Sequence, residues 1–247
     1  MKIVINGSQG VMGQNLVALC EKGMRNSEIG ALVDRMGGEG VYTDIFDFEG
    51  ESDVIIDFSH HSCAPALSKY AAKRGMALVM ATTGHSDEEL AAIYEAAKKV
   101  PVFMSANMSL GVALLAELAA KTAALFPDAD IEIIEKHHNR KLDAPSGTAL
   151  MIARSIENAR GETKFVYGRH GQQKREQGEV GIHAVRAGNI VGEHEVIVAT
   201  DSQIITLKHE AQSRSLFAEG ALAAAEFICE KSAGLYAMKD IAASPTK

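Results

Sequence analysis

Short runs of β-branched and aliphatic residues alternate with helical patterns over the first hundred residues of the chain. This alternation is typical of βαβ units that build a parallel sheet. Between the last two runs, Ser86-Asp87-Glu88-Glu89 is a capping-box pattern that predicts the start of an amphipathic helix. The runs predict strands at residues 3–6, 29–34, 54–59, 77–82 and 102–107.

The pattern changes after residue 107, where the sequence predicts a second, α+β region. An apolar helix is predicted over residues 110–125, and a strand over residues 131–135 leads into a charged segment. Three strand-like runs follow between residues 180 and 211, separated by Gly188-Asn189 and Asp201-Ser202, which predicts an antiparallel meander. An Ala-rich helix over residues 215–231 precedes a closing stretch, residues 234–241, which we expect to return to the first domain.

Composition and charge narrow the functional class. The chain is 47% hydrophobic and 23% charged, which is typical of a globular protein and not of a disordered one. Its formal net charge of −7 argues against general binding to nucleic acid or an anionic membrane. Three widely separated cysteines do not resemble a disulfide framework, no apolar run approaches membrane-spanning length, and no export signal precedes the first strand. We therefore expect a cytoplasmic protein.

A glycine-rich turn follows the first predicted strand and opens a helix, in the spacing G-x-x-G-x-x-G. Glycines in this context let the backbone approach a pyrophosphate, and the helix N-terminus supplies oriented amides. Asp34 ends the second predicted strand, where an acidic residue accepts the ribose hydroxyls of NAD. Arg35 beside it would pair with a 2′-phosphate and admit NADP. The predicted cofactor-binding residues of this region are Gly7, Ser8, Gln9, Gly10, Val11, Met12, Gly13, Asp34 and Arg35.

Two later strand ends are assigned to the nicotinamide side of the same site, because open α/β sheets bind ligands at the carboxyl ends of their strands. These residues are Ala81, Thr82 and Thr83, and Ser105, Ala106, Asn107 and Met108. The alternative interpretation is that these features bind no cofactor. They would then be an ordinary glycine-rich turn, an incidental aspartate and simple strand-end turns.

Residues 135–141 concentrate three permanent cations and two histidines in a chain that is acidic overall. The cluster runs into Pro145-Ser146-Gly147-Thr148, which starts a helix, so that side-chain cations and backbone amides would together suit carboxylates. We expect a small dicarboxylate substrate. Hydride addition to a conjugated imine or alkene needs a proton donor, and His137 or Lys141 would supply it. Ser146, Gly147 and Thr148 would orient one carboxylate.

The alternative interpretation of this segment is a solvated basic loop. A metal site is disfavoured, because adjacent histidines rarely point the same way and no cysteine or carboxylate lies at ligand spacing. His183 and His209 are interpreted as structural histidines.

With these residues in view, the chain resembles the 4-hydroxy-tetrahydrodipicolinate reductase (dihydrodipicolinate reductase) family over nearly its whole length. The family motif E-x-H-H-x-x-K-x-D-A-P-S-G-T-A stands here as residues 135–149. Supporting stretches are residues 7–13, 82–84, 185–188, 190–194, 209–211 and 213–214.

The resemblance implies an α/β fold: an N-terminal Rossmann-type parallel sheet domain, residues 1–108 completed by 216–247, and a central α+β domain, residues 109–215, with a mostly antiparallel or mixed sheet. It implies NADH or NADPH as cofactor without a metal, and a homotetramer joined through the central sheets. It assigns acid–base catalysis to His137, proton donation to Lys141, and substrate binding to His138, Gly147 and Thr148. The implied reaction converts 4-hydroxy-tetrahydrodipicolinate to tetrahydrodipicolinate with loss of water, in lysine and diaminopimelate biosynthesis.

Two residues depart from the family pattern. Val11 stands where the family usually has Arg or Lys, which removes a cation available to a 2′-phosphate and favours NADH. Ala81 stands where a glycine is common. The sequence leaves two rival functions. One is another Rossmann oxidoreductase, which would leave the cluster around His137 unexplained. The other is a non-catalytic nucleotide sensor, which would need no proton donor.

Overall fold

The structure is a computed structural model that describes residues 1–242. Residues 243–247, which the sequence analysis assigned to the first domain, lie outside the described residues. The chain divides into two compact units. The first contains residues 1–110 and the C-terminal segment from residue 214, and the second contains residues 111–213. Each boundary lies two residues from the position expected from the sequence.

The described chain contains twelve strands and seven α-helices, each numbered in chain order. The strands are β1 (Lys2–Asn6), β2 (Glu28–Val33), β3 (Val41–Tyr42), β4 (Val54–Asp57), β5 (Ala77–Met80), β6 (Pro101–Met104), β7 (Asp130–His137), β8 (Lys164–Tyr167), β9 (Glu179–Arg186), β10 (Gly192–Ala199), β11 (Ile204–Ala211) and β12 (Gly234–Tyr236). The helices are α1 (Val11–Glu21), α2 (Ala64–Arg74), α3 (Asp87–Ala97), α4 (Leu110–Leu125), α5 (Gly147–Arg160), α6 (Ser215–Cys229) and α7 (Met238–Ala242).

The first unit is built on a seven-stranded sheet in which every pair is parallel, in the order β12-β6-β5-β4-β1-β2-β3. All four residues of β4 and of β5 are buried, as expected for central strands covered on both faces. The strand order reverses between β1 and β4, and ligands bind at such a switch point in open α/β sheets. This confirms the predicted α/β fold with a parallel Rossmann-type sheet.

A local signal in the sequence predicted the start of helix α3 in this unit. Ser86 caps α3 and Glu89 reaches back to the backbone of Ser86, so the capping box is confirmed. The predicted strands at residues 54–59, 77–82 and 102–107 end two or three residues too late at their carboxyl ends, because the chain there turns away from the sheet into loops.

The second unit contains a five-stranded mixed sheet in the order β11-β10-β7-β9-β8. The predicted antiparallel meander is only half correct. β10 and β11 pair as an antiparallel hairpin, but β9 pairs in parallel with β7 and β8, and β7 lies between β9 and β10. The five residues 187–191 that join β9 to β10 therefore cross the end of β7. They do not form the tight turn that Gly188-Asn189 suggested.

Helices α4 and α5 pack their apolar residues against one face of this sheet. The resulting core includes Leu115 and Ala119 of α4, Ile152 of α5, and Ile131 and Ile133 of β7. Burial alternates along β7, which assigns odd-numbered residues to the helix-covered face and even-numbered residues to the opposite face. Over the described residues, no helix is long and apolar enough to cross a bilayer.

Candidate active site

The glycine-rich turn of the first unit joins β1 to α1 as the sequence predicts. Gly7 has a φ of +80°, and a Cβ there would lie 2.8 Å from the backbone carbonyl carbon of Phe58, so only glycine fits. A Cβ at Gly13 would overlap the carbonyl oxygen of Gly7. Gly10 is the N-cap of α1 and offers no side-chain cap, which leaves the helix N-terminus suited to an anion.

Asp34 lies directly after β2 and is held against this turn. Its Oδ2 accepts a hydrogen bond from the Gln9 amide at 3.1 Å, and its Oδ1 accepts one from the Met36 amide at 3.0 Å. Each carboxylate oxygen keeps a second lone pair, so the group still has the capacity to accept ribose hydroxyls.

A cavity of about 510 Å³ opens at the switch point between β1 and β4. Four of the predicted cofactor-binding residues line it: Gly7, Gly10, Asp34 and Arg35. Ser8 is buried, and Val11 is 71% exposed at the start of α1. The structure adds lining residues that the sequence analysis did not select, namely Asn6, Val33, Thr43, Asp44, Ile45, Phe58, Ser59, His60, Ser62, Cys63, Ala66 and Leu67. A glycine cradle, an acidic strand end and a cavity at the switch point together fit a nicotinamide dinucleotide.

A second cavity, of about 260 Å³, lies at the ends of β4 and β5. Ala81, Thr82 and Thr83 line it, and it shares Phe58, Ser59 and His60 with the first cavity. The third predicted strand end behaves differently. Residues 105–108 line neither cavity; Ser105 and Asn107 bond to neighbouring backbone, and Met108 is buried.

A buried carboxylate missed by the sequence analysis ties these strand ends together. Asp57, the last residue of β4, is fully buried. Its Oδ1 accepts from Asn6 Nδ2 at 2.7 Å and from the Ser59 amide at 3.1 Å, and its Oδ2 accepts from Thr82 Oγ1 at 2.6 Å. The three contacts fix the loops after β1, β4 and β5, which line the two cavities. A polar residue at the end of an otherwise apolar run was the available signal.

In the second unit, Glu135 and His137 lie two residues apart on β7 and so share its helix-covered face. Glu135 is fully buried. It accepts two parallel hydrogen bonds from Arg186 of β9, at 2.7 and 2.8 Å, and one from His137 Nδ1 at 2.6 Å. Because a carboxylate only accepts, Nδ1 of His137 carries a proton and Nε2 is the atom left to exchange one.

The charge of Glu135 is maintained by these partners. Burial by itself would raise the pKa of Glu135, but the hydrogen bonds from Arg186, His137 and the Ser146 amide outweigh it and hold that pKa below its ordinary value. His137 Nε2 lies over Gly192 of β10, where a Cβ would come within 3.0 Å of it. Glycine at this position keeps Nε2 accessible from that side.

Lys141 lies in the turn after β7, and its Nζ is 2.9 Å from Asp143 Oδ1. That contact holds the pKa of Asp143 below its ordinary value. Arg186 donates to the Asp143 carbonyl at 2.6 Å, so the same arginine supports both Glu135 and the turn that carries Lys141. His138 is half-buried at the start of the turn.

The predicted helix start at Ser146 is present. Ser146 caps α5 by accepting from the Ala149 amide at 3.1 Å, and its own amide donates to Glu135 Oε1 at 3.0 Å. Gly147 is exposed and has open space where a side chain would lie, with Thr148 next in the first turn. Ser146 is only 2% exposed, so its side chain supports the turn from below.

Only part of the basic cluster belongs to this site. Lys136 lies on the opposite face of β7 and pairs with Glu193 at 3.0 Å, and Arg140 is exposed and donates to Asn189 at 2.9 Å. Lys136 is therefore turned away from the start of α5, because side chains alternate along a strand. The cation that pairs with Glu135 is instead Arg186, which is distant in the sequence.

Two further histidines lie near His137 on the same face. His194 of β10 is 4% exposed, its Nε2 is 3.1 Å from Ser146 Oγ, and its ring lies edge-to-face with that of His137 at 5.2 Å. Burial first, and then the neighbouring His137, lowers the pKa of His194 to about 4. His209 packs its ring against Gly111 of α4, and burial lowers its pKa. His183 lies on the opposite face and bonds Glu132 at 2.6 Å, as a structural histidine does.

Within residues 1–242, no group of three or more His, Cys, Asp or Glu side chains could hold a metal ion. That the protein uses no metal stays an expectation.

Comparison with known proteins identifies the family. The family model described as dihydrodipicolinate reductase, N-terminus, matches residues 1–108, and the model described as dihydrodipicolinate reductase, C-terminus, matches residues 111–242. The chain belongs to the dihydrodipicolinate reductase family. Among its relatives, the 4-hydroxy-tetrahydrodipicolinate reductase of Caldanaerobacter subterraneus subsp. tengcongensis is 48% identical and that of Clostridium botulinum is 46% identical, each over 98% of both chains.

Solved structures agree with the observed fold. A dipicolinate-bound dihydrodipicolinate reductase from Paenisporosarcina sp. TG-14 superposes with a TM-score of 0.82 at 25% identity, covering 98% of this chain and 99% of that one. A probable dehydrogenase from Thermotoga maritima shares the fold, with a TM-score of 0.66 at 12% identity and coverage of 98% and 92%.

Proposed function

We propose that this chain reduces 4-hydroxy-tetrahydrodipicolinate to tetrahydrodipicolinate with NADH or NADPH, releasing water, in the cytoplasmic synthesis of diaminopimelate and lysine. Family membership supports the reaction, since relatives matched over 98% of their length are named for it. The observation in this chain that supports it best is the buried Glu135–His137 pair, with the amide-rich start of α5 bonded to the same carboxylate.

The residues of the first unit would hold the dinucleotide, which supplies a hydride when bound. The amides after Gly7 and at the start of α1 would contact its pyrophosphate, and Asp34 would accept its ribose hydroxyls. Asp34 and the uncharged Val11 support NADH as the preferred form, while Arg35 on the cavity wall would still admit a 2′-phosphate.

The residues of the second unit would bind the dicarboxylate and supply the proton. The amides of Gly147 and Thr148, at the positive end of α5, would hold one carboxylate, and His138 would assist. Each turnover adds one hydride and one proton to the ring and releases one water. The proton would come from His137 Nε2 or Lys141 Nζ, and Glu135 would hold the imidazole so that Nε2 faces the substrate.

We further propose that the enzyme is a homotetramer assembled through the mixed sheets. Within the second unit both helices pack on one face of that sheet, and the opposite face presents aliphatic side chains among charged ones. On that face Val185 is 40% exposed and Ile204 is 70% exposed. A broad sheet face with exposed aliphatic residues is a surface that association would bury.

The direct test of the reaction follows NADH and NADPH absorbance with freshly made hydroxy-tetrahydrodipicolinate, with and without pyridine-2,6-dicarboxylate as a planar competitor. We expect cofactor oxidation that the competitor blocks. His137→Gln and Lys141→Ala should each lower kcat by about 10² without unfolding the protein. Arg140→Ala, in the same basic segment but exposed, is the matched control and should turn over normally. Wild-type rates in both test variants would refute the assigned roles.

A further inference from the structure

The site of the second unit contains a histidine that the proposed chemistry leaves without a role. His194 lies directly opposite Glu135 of β7 and directly opposite His209 of β11 in the strand register. Residues opposite one another on paired strands point to the same face of a sheet. The three side chains therefore form a row across the sheet, on the face that also carries His137.

His194 contacts both halves of the proposed substrate site. Its Nε2 lies 3.1 Å from Ser146 Oγ, the atom that caps α5, and its ring packs edge-to-face on His137 at 5.2 Å. The amide of Ser146 is in turn bonded to Glu135, which orients His137. The first turn of α5 is thus tied to the sheet by two hydrogen bonds, one of them between Ser146 and His194.

The environment of His194 holds it neutral. The residue is 4% exposed, and its Nδ1 is buried with no hydrogen-bond partner among the described residues. A neutral imidazole has one donor and one acceptor nitrogen, so in either tautomer it offers Ser146 a single hydrogen bond. A protonated ring would instead place a buried positive charge against the ring of His137.

We propose that His194 is a positioning residue, which fixes the carboxylate-binding turn at Ser146 relative to the acid–base ring of His137. This inference rests on the proposed function, because it concerns how the same site holds its dicarboxylate. His194 is too deeply buried to touch the substrate, so it acts through Ser146 and through the packing of the two rings.

The test compares the inhibition constant of pyridine-2,6-dicarboxylate in the full-length wild-type enzyme and three full-length variants. His194→Phe keeps a ring but removes the hydrogen bond, and we expect it to raise the constant about tenfold, the usual effect of losing one such bond. His194→Gln retains a polar nitrogen at the same reach and should restore the constant to within about twofold of wild type. His170→Phe, an exposed histidine outside the site, is the control and should leave the constant unchanged.

This readout separates positioning from damage to the fold, since an inhibition constant does not depend on how much of the enzyme is folded. A double-mutant cycle adds a second criterion. If His194 acts through Ser146, adding His194→Phe to Ser146→Ala should raise the constant by less than about twofold, whereas independent effects would multiply.

An unchanged constant in His194→Phe would overturn the inference, as would a His194→Gln enzyme as weak as His194→Phe, or multiplying effects in the cycle. Failure of the proposed function has a different signature: the wild-type enzyme itself would neither oxidise the cofactor with hydroxy-tetrahydrodipicolinate nor bind the planar competitor.

Discussion

At the scale of single residues, the candidate site depends on a fully buried carboxylate. Glu135 is fully buried, receives two hydrogen bonds from Arg186, and accepts from His137 Nδ1. Its charge offsets the arginine and fixes which imidazole nitrogen faces outward. In the proposed mechanism, the residue that orients the acid–base histidine is thus neither the proton donor nor a substrate ligand.

Replacing Glu135 with Gln should lower kcat by about 10 to 10², because His137 loses the carboxylate that fixes its ring and its Nδ1 proton. Arg186 also loses the buried charge that accepts two of its hydrogen bonds, so the free energy of unfolding should fall by about 3 kcal/mol. Steady-state kinetics and urea unfolding measure the two effects. Glu162→Gln, the same change at an exposed position of the same unit, should alter neither. An active, stable Glu135→Gln enzyme would contradict the orienting role.

Burial of His194 should make stability depend on pH. The pKa of His194 is about 4 in the folded protein against an ordinary 6.5, with His137, His209 and Lys141 adding to the effect of burial and Glu135 opposing it. Between these values the unfolded chain binds a proton that the folded chain excludes, so stability falls as the pH drops from 6.5 towards 4 and is unaffected above 6.5. Across the full range from pH 6.5 to 4, the loss in the free energy of unfolding is about 3 kcal/mol.

Urea unfolding at a series of pH values checks this dependence. As the pH drops across that window, the free energy of unfolding of wild type should fall relative to that of His194→Phe. The slope should be the one that binding of a single proton to the unfolded chain produces. A constant difference from pH 4 to 7 would show that His194 titrates normally.

We propose that single side chains also decide the choice between NADH and NADPH. Asp34→Ala should raise KM for NADH more than for NADPH, because the carboxylate accepts ribose hydroxyls that a 2′-phosphate replaces. Arg35→Ala is the paired variant and should raise KM for NADPH more than for NADH. Initial rates with both cofactors measure the split. An equal effect of Asp34→Ala on both would remove Asp34 from ribose recognition.

At the scale of elements, the turn between β1 and α1 combines two glycines with different tasks. Gly13 lets α1 approach the turn so closely that a Cβ would overlap the carbonyl oxygen of Gly7. Gly10 has ordinary backbone angles, and a Cβ there would lie 3.4 Å from the same oxygen. One glycine is required by packing within the fold, and the other leaves room for a ligand in the cavity.

Alanine at these two positions should therefore give different losses. Gly13→Ala should lower the free energy of unfolding by about 1 to 3 kcal/mol, the cost of overpacking, and weaken NADH binding as the turn shifts. Gly10→Ala should keep nearly wild-type stability but still weaken NADH binding, because its methyl group enters the cavity wall. Thermal unfolding and calorimetric titration with NADH distinguish the two, and equal stability of both variants would contradict this account.

At the scale of the whole molecule, the chain carries two sheets of different kinds, each with its own core. The parallel sheet buries its central strands on both faces. The mixed sheet has helices on one face within its unit, and the other face carries Ile134 and Ile197 among ion pairs such as Lys136–Glu193. The proposed tetramer would bury this second face.

Ile134→Lys places a charge at the centre of that face and should break the assembly. We expect light scattering to give about four times 26.4 kDa for wild type and a smaller mass for the variant. Tyr94→Lys, at a 44% exposed position on α3, is the control and should keep the wild-type mass. Retained NADH binding would show that the variant is folded, and an unchanged mass would place the interface elsewhere.

Local features of the sequence determined a large part of this protein. The turn at residues 7–13, the aspartate after β2, the capping box at Ser86 and the start of α5 at Ser146 are all placed by backbone rules that act within a few residues. The spacing of Glu135 and His137 likewise fixes that both share one face of a strand. These features predicted the fold class and the family.

Only the tertiary structure decided which strands are neighbours. The period of two along a strand indicates which residues share a face but not which strand lies beside them, so β7 between β9 and β10 could not be read from the chain. That placement brings Arg186, Gly192 and His194 to Glu135 and His137 and turns Lys136 away from them. The sequence determines the chemistry of each side chain, but long-range strand pairing determines which side chains lie next to it.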